Sequence, residues 1–229
     1  MCQRLAEEWT RQGKKTTAED VANTLQIVPS GSVTNIDGKN EQLAQVRQAK
    51  RNLYNDNKEW NVKLKDWQEK GNGWNSYYQS KMFKVMDTPS VMLMLGKSPK
   101  ELKTYNSFFK HVLNVNNHAG LVADDLKNLP NYLSNPLMIF QTGNGIISVV
   151  DIQTSSNATV IVPIRINESI KDSAGVISVV NRVPSLYAKT KGSKNPAPKY
   201  GWFADEIANG KLLYINKKEA FNGLLGLDT

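Results

Sequence analysis

Past Pro136 the hydrophobic pattern of this chain changes period, and that switch restricts the folds open to it. Upstream, apolar residues recur every three or four positions. Downstream they gather in short β-rich runs: Leu137-Met-Ile-Phe140, Ile146-Ile-Ser-Val-Val150 and Ala158-Thr-Val-Ile-Val162. Gly143-Asn-Gly145 and Ser155-Ser-Asn157 separate these runs, and separators that short join antiparallel neighbours. Val176 to Val180, Tyr200 to Phe203 and Leu212 to Ile215 read as further strands. Helices first and strands afterwards define an α+β class, with a mainly antiparallel sheet of four or more strands, rather than a doubly wound sheet.

The helical part opens with a long amphipathic segment. From Glu41 to Lys70 the sequence is dense in Gln, Lys, Glu and Leu. Val46, Leu53, Trp60 and Trp67 recur every seven residues, and Leu43 and Leu64 broaden the stripe. A helix with such a stripe must pack on the following domain or on a partner. Gly71-Asn-Gly73 ends it, the aromatic residues Trp74, Tyr77, Tyr78 and Phe83 follow, and Pro89 marks a boundary. Ser98-Pro-Lys-Glu101 carries a cap residue, a proline at the first helical position and a capping-box glutamate, which predicts a helix start. Further helices are expected from Ser107 to Asn116, burying Phe108, Val112 and Val115, and from Ala123-Asp-Asp into Leu129-Pro-Asn-Tyr-Leu. Near the start, Thr17-Ala-Glu-Asp20 is a capping box opening a short helix to Leu25, and Val28 to Asn40 reads as a linker. Three regions result: residues 1–40, a fragmentary helix and linker; residues 41–90, an amphipathic helical extension; and residues 91–229, a compact α+β domain.

Several classes of function are disfavoured. A single Cys2 leaves no internal disulfide and no zinc site built on cysteine pairs. No apolar run reaches the roughly 18 residues of a membrane span, and the first residues lack the apolar core of an export signal. No membrane partner is expected. Charge points elsewhere. The net charge is +8 and the pI about 9.4, and Arg182, Lys189, Lys191, Lys194 and Lys199 stand in a stretch with no acid. An anionic partner fits this pattern, nucleic acid first. The plain alternative is a solvated surface loop.

The chemistry available is narrow. His111 and His118 are the only histidines, and histidine is the usual acid or base near neutral pH. His118, in Asn116-Asn-His-Ala-Gly120, also sits where a helix would terminate, a role that needs no catalysis. Neither a phosphate-binding Gly loop nor a Gly-x-Ser-x-Gly elbow occurs. Asp124-Asp125 and Asp205-Glu206 fall at expected helix starts, where capping accounts for them. Any reaction is therefore expected to run without metal or cofactor. Arg182-Val-Pro-Ser-Leu-Tyr-Ala-Lys189 is the densest chemical segment: Arg182 and Lys189 can neutralise a phosphate, and Ser185 and Tyr187 can donate to it. Equally, Pro184 could end a strand beside ordinary surface cations. Trp202 could stack a base or fill core.

Taken in order, these features resemble the MuF C-terminal domains of phage head-morphogenesis proteins and of large multidomain phage polypeptides. The residues that carry the resemblance are Leu95-Gly-Lys-Ser-Pro-Lys-Glu-Leu102, Asn117-His-Ala-Gly-Leu121, Asp125-Leu-Lys-Asn-Leu-Pro130, Asn135-Pro-Leu-Met-Ile-Phe140, Arg182-Val-Pro-Ser-Leu-Tyr187, Trp202 and Leu213-Tyr-Ile-Asn-Lys217. The resemblance implies a relationship to the metal-independent ribonuclease fold of barnase, the EndoU enzymes, tRNA-cleaving colicins and RelE toxins. On that basis His118 would be the acid or base, Ser185 and Tyr187 would orient the phosphate and Trp202 would stack a base, while the charge pattern adds Arg182 and Lys189 at the phosphate and Lys191, Lys194 and Lys199 along the nucleic acid, RNA above all. The resemblance also implies partners among other domains of a larger phage polypeptide or an immunity protein, and a place in the virion or the host bacterial cytoplasm. The chain departs from the family pattern in one respect: Asn114 to Asn117 are uncharged where a lysine often precedes the histidine.

Overall fold

The computed structural model describes residues 36–71, 82–114, 121–152, 159–171, 175, 177–189 and 201–216. Helix α1 (Ile36–Lys70) is the long amphipathic helix. It begins within the stretch expected to be a linker, because a lone Gly38 costs only about 1 kcal/mol, too little to stop a helix anchored further on. Its stripe is anchored on Trp60 and Leu64, both fully buried. The Trp60 ring lies 5.1 Å from Phe109, 5.9 Å from Phe108 and 6.1 Å from Phe83, and its Nε1 donates to the Leu126 carbonyl at 2.7 Å. Val46 and Ala49 close on Leu93. Leu43 does not join the stripe, being 52% exposed. No helix among the described residues is long and apolar enough to cross a membrane.

The other elements follow in chain order: β1 (Met82–Met86), α2 (Ser90–Met94), β2 (Leu102–Tyr105), α3 (Phe108–Val112), a 3₁₀ turn (Ala123–Leu126), α4 (Leu129–Ser134), β3 (Met138–Thr142), β4 (Gly145–Val150), β5 (Thr159–Lys171), β6 (Ile177–Arg182), β7 (Tyr187–Lys189), α5 (Gly201–Ala208) and β8 (Leu212–Ile215). Among the described residues the strands form one eight-stranded sheet in the order β1-β2-β6-β5-β4-β3-β8, with β7 also beside β5. Every pairing is antiparallel except β2 with β6. The α+β reading holds. One face of the sheet, with Ile139, Ile146, Val160, Val162 and Ile164, packs under α1, α3 and α4. The opposite face, with Phe140, Val149 and Ile161, packs against Phe203 and Ile207 of α5. At the β3–β4 turn, a Cβ on Gly145 would lie 2.0 Å from the Ile164 carbonyl oxygen, so only glycine lets β5 approach there.

Four local expectations are corrected. Ser98-Pro-Lys-Glu101 does not start a helix but runs extended into β2. Its carbonyls are taken from the side: Ser98 and Lys100 accept from the buried Asn181 amide at 3.0 and 3.3 Å, and the Thr88 hydroxyl also donates to both. Strands β1 and β2 thus precede α3, where sequence periodicity pointed to helix alone. The strand expected over Tyr200 to Phe203 is not found in its described part, since Gly201–Ala208 is helical and buries Phe203 and Ile207 one turn apart. The helix from Ser107 stops at Val112. The Asp125 carboxylate accepts the Val122 N–H at 2.8 Å, a capping role as expected, whereas Asp205 and Glu206 lie inside α5 rather than at its start. The expected Thr17–Leu25 helix and the residues Trp74, Tyr77, Tyr78 and Val115 lie outside the described residues.

An ionic cluster ties α1 to the end of β1. Buried Asp56 pairs with Lys84 at 2.8 Å and accepts the Asp87 N–H at 2.9 Å. Lys84 also pairs with Asp87 at 2.7 Å. Burial opposes the lysine's charge, but the two carboxylates outweigh it and raise its pKa above the ordinary value. The Trp60 contacts make a direct prediction: Trp60→Ala should lower unfolding stability by about 3–5 kcal/mol in urea titrations. A loss below about 1 kcal/mol, the scale of a surface substitution, would mean that α1 is not part of the core.

Candidate nucleic-acid interface

The segment richest in phosphate-binding groups lies along one edge of β5. Strand β7 pairs with Thr159 to Ile161 and β6 with Arg165 to Lys171, so 183–186 bridge two pieces of an interrupted ladder. Pro163 falls in that gap, where its missing N–H removes no ladder bond on that side. Arg182 stands opposite Arg165, and Tyr187 opposite Ile161. Ile161 and Arg165 are four steps apart on β5, so Arg182 and Tyr187 share the α5 face of the sheet, about 13 Å apart along it.

Arg182 does not stand alone. Its Nε donates to Glu168 Oε2, and its Nη2 to Oε1 at 2.8 Å, a bidentate fork. Arg165 Nη1 donates to the same Oε1 at 2.9 Å. The Arg182 guanidinium also lies over the Tyr105 ring, 5.4 Å from its centroid. A β-bulge builds this cluster. Residues three apart in a regular strand face opposite sides, but the register shifts between Arg165 and Glu168 and turns both to one face. Within the bulge Asn167 takes a left-handed conformation (φ 54°), and its N–H donates to Asn181 Oδ1 at 3.0 Å. Asn181 is completely buried, and its Nδ2 donates to Thr88 at 2.9 Å as well as to the loop before β2. The Arg182 fork is the main reason Glu168 ionises below the usual carboxylate range. Burial works against this, and Arg165 adds to it. The same fork raises Arg182 above its ordinary value.

The remaining expected site residues are placed as follows. Ser185 is half-buried, with its hydroxyl 3.4 Å from the Leu186 carbonyl. Tyr187 is half-buried against the α5-side core, and burial pushes its phenol above the usual range. Trp202 packs edge-on to Phe140 at 5.6 Å and to Phe203 at 5.0 Å, and so contributes to the same core. Tyr187 and Trp202 thus meet in one apolar cluster. Lys189 ends β7, and nothing of its side chain is described. His118, Lys191, Lys194 and Lys199 lie outside the described residues. His111 is exposed on α3. Sequence reading missed Arg165, Glu168, Tyr105 and Asn181. The one signal available was Asn167 inside a β-rich run, since asparagine tolerates the left-handed conformation a bulge needs.

The architecture is an α+β domain with a layered sheet. Residues 112–222 match the family model of the phage MuF-C-terminal domain. The match takes in His118, the Arg182–Lys189 segment and Trp202, and it starts after the Leu95–Leu102 motif. No curated protein and no solved structure matches the chain.

The depressed Glu168 pKa gives a pH signature. Stability from this carboxylate is fully present above the ordinary glutamate range near 4.3 and is lost as pH falls through the lower folded-state value. Glu168→Gln should therefore be less stable than the parent at pH 7, by about 1–3 kcal/mol for a charge-assisted pair. That gap should close below about pH 4 in melts run across the acid range. A gap that does not change with pH would show that the ion pair is not its source.

Proposed function

We propose that this phage MuF C-terminal domain acts on nucleic acid as a metal-independent, ribonuclease-like effector. The supporting observation is topological. β2 and β6 are the parallel pair, with Leu102 beside Asn181 and Lys103 beside Arg182, so their C-terminal ends leave the sheet on the same side. From the end of β2 the chain enters α3 and, at Leu113, the connection that carries His118. From the end of β6 it enters the Arg182–Lys189 segment. The Thr104 hydroxyl donates to the Val183 carbonyl at 2.7 Å and fastens the two exits together.

In this reading a ribose 2′-hydroxyl attacks the adjacent phosphate. His118 exchanges the proton, Arg182 and Lys189 offset the added negative charge, and Ser185 and Tyr187 orient the phosphate oxygens. Lys191, Lys194 and Lys199 hold the flanking strand electrostatically. Trp202, with its ring in the core, supports the Tyr187 side of the site more than it offers a base platform.

A second reading rests on the Glu168 fork. A guanidinium already bound at both Nε and Nη2 is well placed to anchor a phosphate and less able to follow a charge that grows during a reaction. This favours a non-catalytic module that binds nucleic acid within a larger phage polypeptide or a virion.

Purified protein assayed on total RNA, tRNA and DNA in EDTA separates the two. The enzyme reading expects RNA cleavage in EDTA. It also expects His118→Ala to lose about 10²–10⁴-fold in rate with its melting temperature little changed and His111→Ala close to the parent. Cleavage that vanishes in EDTA and returns with magnesium would contradict the metal-free mechanism. Undiminished cleavage by His118→Ala would contradict the role given to that histidine.

A further inference from the structure

We propose that Arg165 and Arg182 form a two-guanidinium phosphate clamp, with Glu168 as the positioning residue that holds both in register. This rests on the reading of the domain as nucleic-acid-directed and adds to it a binding residue, Arg165, that lies in a β-strand far in sequence from the basic segment.

The geometry is a built one. The two oxygens of Glu168 receive three N–H groups, Nε and Nη2 of Arg182 and Nη1 of Arg165, so one carboxylate fixes two planar cations. Two guanidiniums against one carboxylate leave one positive charge at the cluster. The neighbouring Lys103 is paired with Glu101 at 3.0 Å and adds none. Arg182 is mostly buried, its side chain 13% exposed, whereas Arg165 is 52% exposed and opens to solvent beside it. The fork takes Nε and Nη2 of Arg182 and leaves Nη1 outside the pair. The Tyr105 ring beneath the guanidinium fixes its plane.

The backbone is shaped for the same result. An unbulged β5 would send Arg165 and Glu168 to opposite faces. Instead the chain adopts a left-handed Asn167, a conformation uncommon for a residue other than glycine. The buried Asn181 amide holds it from the far side of the sheet. Such a device suits a planar, bidentate recognition of phosphate oxygens better than a lysine point charge would. The ligand class is a phosphodiester of single-stranded nucleic acid, reached from the α5 face of the sheet, where Tyr187 also stands.

The test uses the whole chain and two probes: a single-stranded 2′-O-methyl RNA, which cannot be cleaved, and inorganic pyrophosphate. Arg165→Gln should flatten the log–log salt dependence of RNA binding by about 0.7, the counterion release of one lost single-strand contact. At 0.15 M salt that slope corresponds to about fourfold weaker binding. Arg165→Lys should keep the slope but not the full affinity. Glu168→Gln is the decisive variant, because it makes the protein more positive. Charge alone predicts tighter binding, and the clamp predicts weaker binding, compared at equal folded fraction by thermal melts. Tighter binding by Glu168→Gln, or an unchanged slope in Arg165→Gln, overturns the clamp while leaving the nucleic-acid reading in place if the parent binds RNA. A parent that ignores RNA yet binds pyrophosphate in an Arg165-dependent way supports the clamp and removes the nucleic-acid reading. Binding of neither probe overturns both.

Discussion

The buried side chain of Asn181 is the constraint on which the Arg182 edge of this sheet depends. It lies at the only parallel junction among the described strands, where β2 meets β6, and it serves three segments distant in sequence. Its Oδ1 accepts the N–H of Asn167 and so sets the β5 bulge. Its Nδ2 reaches Thr88 and the Ser98 carbonyl and so keeps the loop before β2 extended. A fully buried amide left without these partners would cost on the order of 1–3 kcal/mol for each unmet group. The sequence that satisfies it is thereby forced into one register. The neighbouring residue Arg182 then points to the opposite face, where Glu168, Arg165 and Tyr105 receive it. Structural and chemical roles are divided between two adjacent positions by the alternation of a strand.

This arrangement explains which parts of the fold could be read from residue order. Local periodicity located α1, β3, β4 and most of β6 and β8, because each buries one stripe or one alternating face against its neighbours. It failed where a distant polar group decided the outcome. Ser98-Pro-Lys-Glu101 has every local mark of a helix start, but the carbonyls such a helix would use are held by a side chain more than eighty residues away. It failed again at Trp202-Phe203, where adjacent aromatic residues that suit a strand lie on α5, with Phe203 buried one turn from Ile207. The candidate site divides the same way. The cations of the 182–199 segment are visible as composition, whereas the Glu168 fork exists only after the bulge has re-aimed β5.

The charge balance also changes on folding. As a sequence, Arg182 begins an acid-free basic stretch. In the fold it is matched by a glutamate fourteen residues earlier, and the unmatched charge of that cluster passes to Arg165. The anchoring of α1 by Trp60 and by the Asp56–Lys84 pair places the helical layer against one face of the sheet. The Arg182 edge therefore rests on a braced platform, and the opposite face near Tyr187 is the one from which the proposed clamp would be reached.

The most direct measurement is an NMR titration of the full chain with uncleavable 2′-O-methyl RNA, following the His118 imidazole and the Arg182 guanidinium in the same samples. The account predicts that both signals shift together with one binding curve, while His111 on α3 stays unmoved. A guanidinium that responds while His118 does not would place the histidine outside the phosphate site and contradict the catalytic reading.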